Sequence, residues 1–324
     1  MNREETISRM NEFGKNRLPF FFIISFSGEA CGVFPSEFAA QNNIFFNFQG
    51  VHFNYPILLD QVKSLNLIKN PVSFEAYSQS FEVVQKHLNR GNSYLVNLTF
   101  PTPIHCEHTL KTIFHSAFAK YRIYYQDQFV AFSPETFVKI SNGKIATFPM
   151  KGTIDASTQN AEILLLENSK ELAEHATIVD LLRNDLSRVA SNVKVEKFRY
   201  IDEIKTSDKC LLQVSSEISG ELPPDYTKKI GSIIFELLPA GSISGAPKQK
   251  TLEIISEAET YERGYYTGIT GYFDGENLDS CVLIRFVEKN NDQLIYKSGG
   301  GITTQSIARE EYQELIDKIY VPVS

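Results

Sequence analysis

Cysteine is scarce in this 324-residue chain. The four residues, Cys31, Cys106, Cys210 and Cys281, lie far apart and show no C-x-x-C spacing. That argues against a zinc site or a disulfide framework and suits a reducing compartment. Long apolar runs are missing too. The stretch 18–26 follows a polar, charged N-terminus, residues 1–16, and is too short to span a bilayer. No small-residue cleavage site stands behind it, so it reads as a buried strand, not a secretion signal, and a cytoplasmic protein is expected. Basic runs are absent, and 32 Lys and Arg against 39 Asp and Glu give a formal net charge of -7. Duplex nucleic acid, which needs clustered cations, is thereby disfavoured as a partner. An anionic small substrate is not, because a few placed cations or a metal reverse the local sign. Repeats, low-complexity segments and long Pro/Gly/Ser linkers are also lacking, so residues 1–324 are expected to form a single domain.

What is present is a globular balance, with 42% hydrophobic and 22% charged residues. Apolar or alternating stretches predict strands at 20–25, 44–48, 93–99, 121–126, 129–132, 137–140, 144–148, 266–273, 280–287 and 293–298. Helical periodicity marks 73–88, 109–118, 158–166, 168–188, 227–236, 247–258 and 308–320. Strands come in runs and do not strictly alternate with helices. The expected class is therefore α+β with antiparallel sheets, not a doubly wound fold.

Several segments carry candidate chemistry. In SKELAEHATIVDLLRNDL, Glu171 and Glu174 share a helix face. The bland reading has Asn168 capping that helix, with Glu171 at the third position of a capping box. In the last helix Glu311, Glu314 and Lys318 share a face, where a solvated Glu314–Lys318 pair is the ordinary explanation. SGGGIT, holding Gly299, Gly300 and Gly301, is either a tight turn or a place where backbone N–H groups approach an anion. LPAGSISGAPKQK puts Pro247 at a helix start and offers a second carboxylate cradle. It lacks the spacing of a phosphate loop, and a nucleotide site is rejected. Lys151 in TFPMKGT and Glu135 in FSPE are each weak alone.

Taken in order, GNSYLVNLTF, FSPETFVKI, FPMKGT, KELAEHATIVDLLRNDLSRV, LPAGSISGAPKQKTLEII, ERGYYTGITGYF, LDSCVLIRF, SGGGIT and EYQELIDK resemble the chorismate-utilising enzymes. That family includes the first components of anthranilate and aminodeoxychorismate synthases and the isochorismate and salicylate synthases. The matching core, 91–318, is roughly 70% of the chain. Residues 1–90 are expected to be a shortened N-terminal part, and no tryptophan-pocket motif is recognisable in them.

The resemblance implies two antiparallel β-sheets packed together, helices outside and the site in a central cleft. It assigns Glu174 and Glu314 to Mg²⁺, with Glu171 and Glu311 completing the acidic set. Tyr266 and Arg285 match groups that hold a substrate carboxylate. Gly299, Gly300 and Gly301 supply backbone donors, Gly152 and Thr153 line the substrate, and Lys318 is a further contact. Mg²⁺ takes oxygen ligands, commonly one or two protein carboxylates with substrate oxygens and water. Arginine suits a planar carboxylate.

Lys151 points to a branch. FPMKGT resembles the P-I-K-G-T of the aminodeoxychorismate enzymes, where anthranilate synthases usually carry alanine. The implied mechanism is covalent: Lys151 attacks chorismate as the C4 hydroxyl leaves, and ammonia then expels the lysine. A free lysine titrates near ~10.4 and must lose its proton to attack. Glu135 matches the acid/base serving the hydroxyl. Leu95 stands where water-adding members need lysine and other ammonia users often have glutamine. Gln213 stands where the histidine of pyruvate elimination is expected. No glutaminase arrangement surrounds any cysteine, so ammonia is expected from a separate glutaminase subunit. Two alternatives stay open here: an anthranilate synthase component I, and an inactive chorismate-binding subunit.

Overall fold

The computed structural model describes residues 1–55, 62, 65–205 and 210–323. The described residues form two antiparallel sheets of nine strands each. The first runs Met150–Asp155, Cys210–Glu221, Lys144–Thr147, Thr136–Ser141, Leu278–Val282, Ile269–Phe273, Phe20–Ile24 and Cys31–Pro35, with Ser191–Lys205 also pairing on Cys210–Glu221. The second runs Gly245–Ala246, Leu95–His105, Gln293–Ile302, Phe286–Asn290, Phe129–Ser133, Tyr121–Tyr125, Ile44–Phe48 and His52–Phe53, with Ile68–Lys69 on Leu95–His105.

Phe20–Ile24 shows why its sequence is apolar without interruption. Phe20, Phe22 and Ile24 point into a core shared with outer helices, while Phe21 and Ile23 point into the core between the sheets. A strand buried on both faces cannot alternate with polar residues. Phe21 meets Phe46 of the other sheet face to face, ring centroids 5.2 Å apart. On the outside, helix Ser169–Leu186 covers the first sheet through Ile178, Val179, Leu182 and Leu186. Helices Phe74–Asn89, Lys248–Ala258 and Ala308–Asp317 cover the second through Tyr77, Phe81, Ile254 and Leu315. The expected class is the observed one.

Several local expectations are corrected. The polar, charged N-terminus, for which no element was expected, is helical: Asn2 and Glu5 form a reciprocal capping box that opens helix Arg3–Lys15. The strand expected over 280–287 is two, Leu278–Val282 in one sheet and Phe286–Asn290 in the other. SGGGIT is not a turn, since its glycines continue strand Gln293–Ile302. The strand expected from Tyr266 starts at Ile269, because Thr267 takes a φ of 60° that no strand accommodates. The long strands Ser191–Lys205 and Cys210–Glu221 were not expected. Their charged and apolar residues follow no clean alternation, and three register shifts interrupt their pairing.

Candidate active site

Two crossovers between the sheets lie side by side and frame the site. Phe129–Ser133 ends in one sheet and Thr136–Ser141 begins in the other, leaving Pro134 and Glu135 at the passage. Leu278–Val282 and Phe286–Asn290 repeat the passage, leaving Arg285 at a left-handed φ of 52°. Backbone bonds tie the passages together: Val282 N–H donates to the Glu135 carbonyl at 3.2 Å, and Phe132 N–H to the Arg285 carbonyl at 3.1 Å. An acid and a cation thus meet where neither sheet fills the space.

That space is a cavity of about 270 Å³. It is lined by Glu135, Lys151, Gly152, Thr153, Tyr266, Arg285, Gly299, Gly300, Gly301, Glu314 and Lys318, all expected from the sequence. Lys151 Nζ lies 3.2 Å from Glu174 Oε2, which joins Glu174 to the group. Gly152 sits at a bulge with a φ of 71°, a conformation glycine adopts freely. A Cβ there would lie 3.5 Å from Glu171 Oε2. Of the expected capping box the Asn168 half is seen, its Oδ1 accepting the Glu171 N–H at 3.0 Å.

The glycine strand opens the opposite wall. A Cβ on Gly300 would lie 3.6 Å from Glu311 Oε2, 3.7 Å from Glu314 Oε1 and 3.6 Å from Lys318 Nζ, so three charged groups converge on a position without a side chain. Lys318 bridges Glu314 at 2.5 Å and the Gly299 carbonyl at 2.9 Å. The Glu314–Lys318 pair, for which spacing alone suggested only a solvated surface, anchors the helix end to the glycine strand. The four glutamates are distributed as two helix-borne pairs, one at Gly152 and Lys151, the other at Gly300. Among the described residues no three His, Cys, Asp or Glu side chains converge as metal ligands. Oxygen donors supplied in ones and twos fit a hard cation that completes its shell with substrate and water.

Glu135 is held above the usual carboxylate range. Burial is the largest cause, opposed by a hydrogen bond from Ser242 and by the charges of Lys151, Arg285 and Lys120. Tyr266 is 4% exposed, and burial pushes its hydroxyl far up, so it stays a donor. Arg285 stacks over Tyr320 at 5.3 Å, while its buried Nε finds no partner among the described residues. A buried unpaired donor costs about 1–3 kcal/mol, and a ligand carboxylate would satisfy it.

Sequence reasoning missed two contributors. Ser242 sits in the segment read as a carboxylate cradle, yet it faces Glu135, while Lys248 at the segment's end bonds Asp185 at 2.7 Å. Pro247, expected at the first helical position, is the residue preceding the helix. Asn97 lines the cavity beside Leu95. Behind it the buried Glu259–Arg263 pair, 2.7 Å apart, bonds the Asn97 carbonyl through Arg263 at 2.7 Å. Gln213 Nε2 donates to Thr153 Oγ1 at 3.2 Å.

Comparison with known proteins agrees with this fold. The chain is 50% identical over 324 residues to an uncharacterised PabA-like protein of Pasteurella multocida, covering 100% of both. It is 33% identical over 263 residues to aminodeoxychorismate synthase component 1 of Escherichia coli, covering 76% of this chain and 56% of that one. Among solved structures, anthranilate synthase component I from Streptococcus pneumoniae superposes with a TM-score of 0.67 at 26% identity, over 81% of this chain and 60% of that one. Among the described residues no helix is long and apolar enough to cross a membrane. The profile of the chorismate binding enzymes matches residues 45–324. The chain belongs to the chorismate binding enzyme family.

Proposed function

We propose that this chain aminates chorismate at C4, giving 4-amino-4-deoxychorismate, as the first component of an aminodeoxychorismate synthase. The observation that carries the reading is Lys151, whose Nζ reaches the cavity 3.5 Å from the open Cβ position of Gly301 and 3.2 Å from Glu174. An amine nucleophile must surrender a proton before it attacks.

Arg285 and Tyr266 hold a substrate carboxylate. Lys151 forms a bond to C2 as the ring double bonds shift and the C4–O bond breaks. Glu135, whose pKa burial raises, gives a proton to the departing hydroxyl, which leaves as water. Ammonia then bonds to C4, the double bonds shift back, and the C2–N electron pair returns to Lys151. The Glu135 carboxylate takes up the proton shed by the new amine. Mg²⁺ held by Glu174 and Glu314, with Glu171 and Glu311 behind them, would neutralise and orient the ring carboxylate. A separate glutaminase subunit would supply the ammonia.

Relatives are named for both aminodeoxychorismate and anthranilate synthases, so anthranilate formation is the second reading. Gln213, bonded to Thr153, is not a proton acceptor for ring aromatisation, which supports release of the aminated intermediate. Mass spectrometry of the product from chorismate, Mg²⁺ and ammonium, with and without a downstream lyase, decides between them. Aminodeoxychorismate is expected. Anthranilate formed without a lyase overturns the reading, and unchanged rates with a chelator remove the metal from it.

A further inference from the structure

Strand Leu95–His105 turns Leu95 and Asn97 toward the cavity, and of these two only Asn97 carries a polar group. Its buried Oδ1 has no hydrogen-bond partner among the described residues. Asn97 is the direct cross-strand partner of Gly301. Such partners point to the same face of a sheet, with Cβ positions roughly 5 Å apart. Gly301 has no side chain, and the position its Cβ would take is 3.5 Å from Lys151 Nζ and 2.9 Å from Leu95 Cδ1. The Asn97 amide therefore faces the gap beside Lys151, bounded on one side by an apolar side chain that can bond nothing. Its backbone is rigidly placed, because Arg263 donates to the Asn97 carbonyl at 2.7 Å and is itself fixed by Glu259.

We propose that Asn97 holds the incoming ammonia beside Lys151, its amide oxygen accepting an ammonia N–H. An acceptor is the right group for this task. It fixes the nitrogen through a hydrogen and leaves the lone pair aimed away, toward the carbon it must attack, whereas a donor would cap the lone pair. An unmet buried acceptor is costly in the free protein, and a small N–H donor relieves that cost on binding. The inference rests on the amination proposed above.

The test is steady-state kinetics with chorismate, Mg²⁺ and ammonium chloride at fixed pH, comparing the wild type with Asn97→Leu. Leucine keeps the volume and removes the acceptor. The expected result is an ammonium KM raised about tenfold in Asn97→Leu, the scale of one lost hydrogen bond. The chorismate KM should stay within about twofold. An unchanged ammonium KM in Asn97→Leu overturns the inference while leaving the amination reading intact. So does an equal rise in the chorismate KM, which would assign the acceptor to a ring hydroxyl. A wild type that forms no aminated product overturns both. If Asn97→Leu fails to fold, Asn97→Ser, too short to reach the same point, is read by the same two constants.

Discussion

The Ser242 hydroxyl donates a hydrogen bond to the Glu135 carboxyl group across 107 positions of sequence. Burial raises the Glu135 pKa, and this bond, which favours the ionised form, opposes the rise. As a proton donor Glu135 works only while protonated, so activity should fall as pH climbs through its pKa. Ser242→Ala removes the opposing bond and moves that pKa further up. The alkaline limb of the kcat profile should therefore shift to higher pH, with the plateau lowered about tenfold by looser positioning. A pH–rate series on both proteins checks the direction. A shift to lower pH would contradict the donor role.

Lys151→Ala should keep chorismate binding and lose amination by roughly 10³-fold or more, the scale on which loss of a nucleophile acts. Single-turnover assays with ammonium, together with a ligand-binding titration, separate the two effects. Undiminished amination would remove the covalent step.

Neighbouring glycines should fail differently. A Cβ on Gly299 would lie 2.4 Å from the Leu98 carbonyl oxygen, which is backbone and cannot yield cheaply. Gly299→Ala should cost about 1–3 kcal/mol and lower the melting temperature by several degrees. Gly300→Ala meets nothing nearer than 3.6 Å and should melt within about 1 °C of the wild type. Its methyl group sits among Glu311, Glu314 and Lys318, so the Mg²⁺ requirement and the chorismate KM should rise about tenfold. Melting curves and kinetics on the pair test the contrast.

His175 is fully buried, with Nε2 2.6 Å from Ser216 Oγ. Burial first, then the charges of Arg199 and Lys151, lower its pKa from 6.5 to about 4. The unfolded chain gains a proton near pH 6.5 and the folded one does not. Stability is therefore fully present above that pH and is lost progressively as pH falls toward 4. By pH 5 this one group should have removed roughly 2 kcal/mol. Denaturant unfolding at pH 7.5 and 5.0 should show a smaller pH-dependent loss for His175→Gln. An equal loss in both proteins would assign the acid sensitivity elsewhere.

Much of this molecule was legible in order along the chain. The uninterrupted apolar run at Phe20–Ile24 betrayed a strand buried on both faces, and the spacing of Glu171 and Glu174, and of Glu311 and Glu314, put each pair on one helix face. Hydrophobic period and side-chain spacing are local properties, so they survive without knowledge of the fold. Lys151 drew its meaning from the order of the segments around it, not from its own surroundings.

Helix Arg3–Lys15 was not legible, because it buries only Thr6, Met10 and Gly14 and shows little apolar periodicity. The sequence by itself determined the class of fold, the family resemblance and which residues carry charge toward a site. Only the tertiary structure decided that Arg285 sits at a passage between sheets, that Ser242 meets Glu135, and that Asn97 faces the gap beside Lys151. Each depends on strands or helices brought together from distant parts of the chain. Such contacts follow from the packing of two sheets, which no local pattern of residues records.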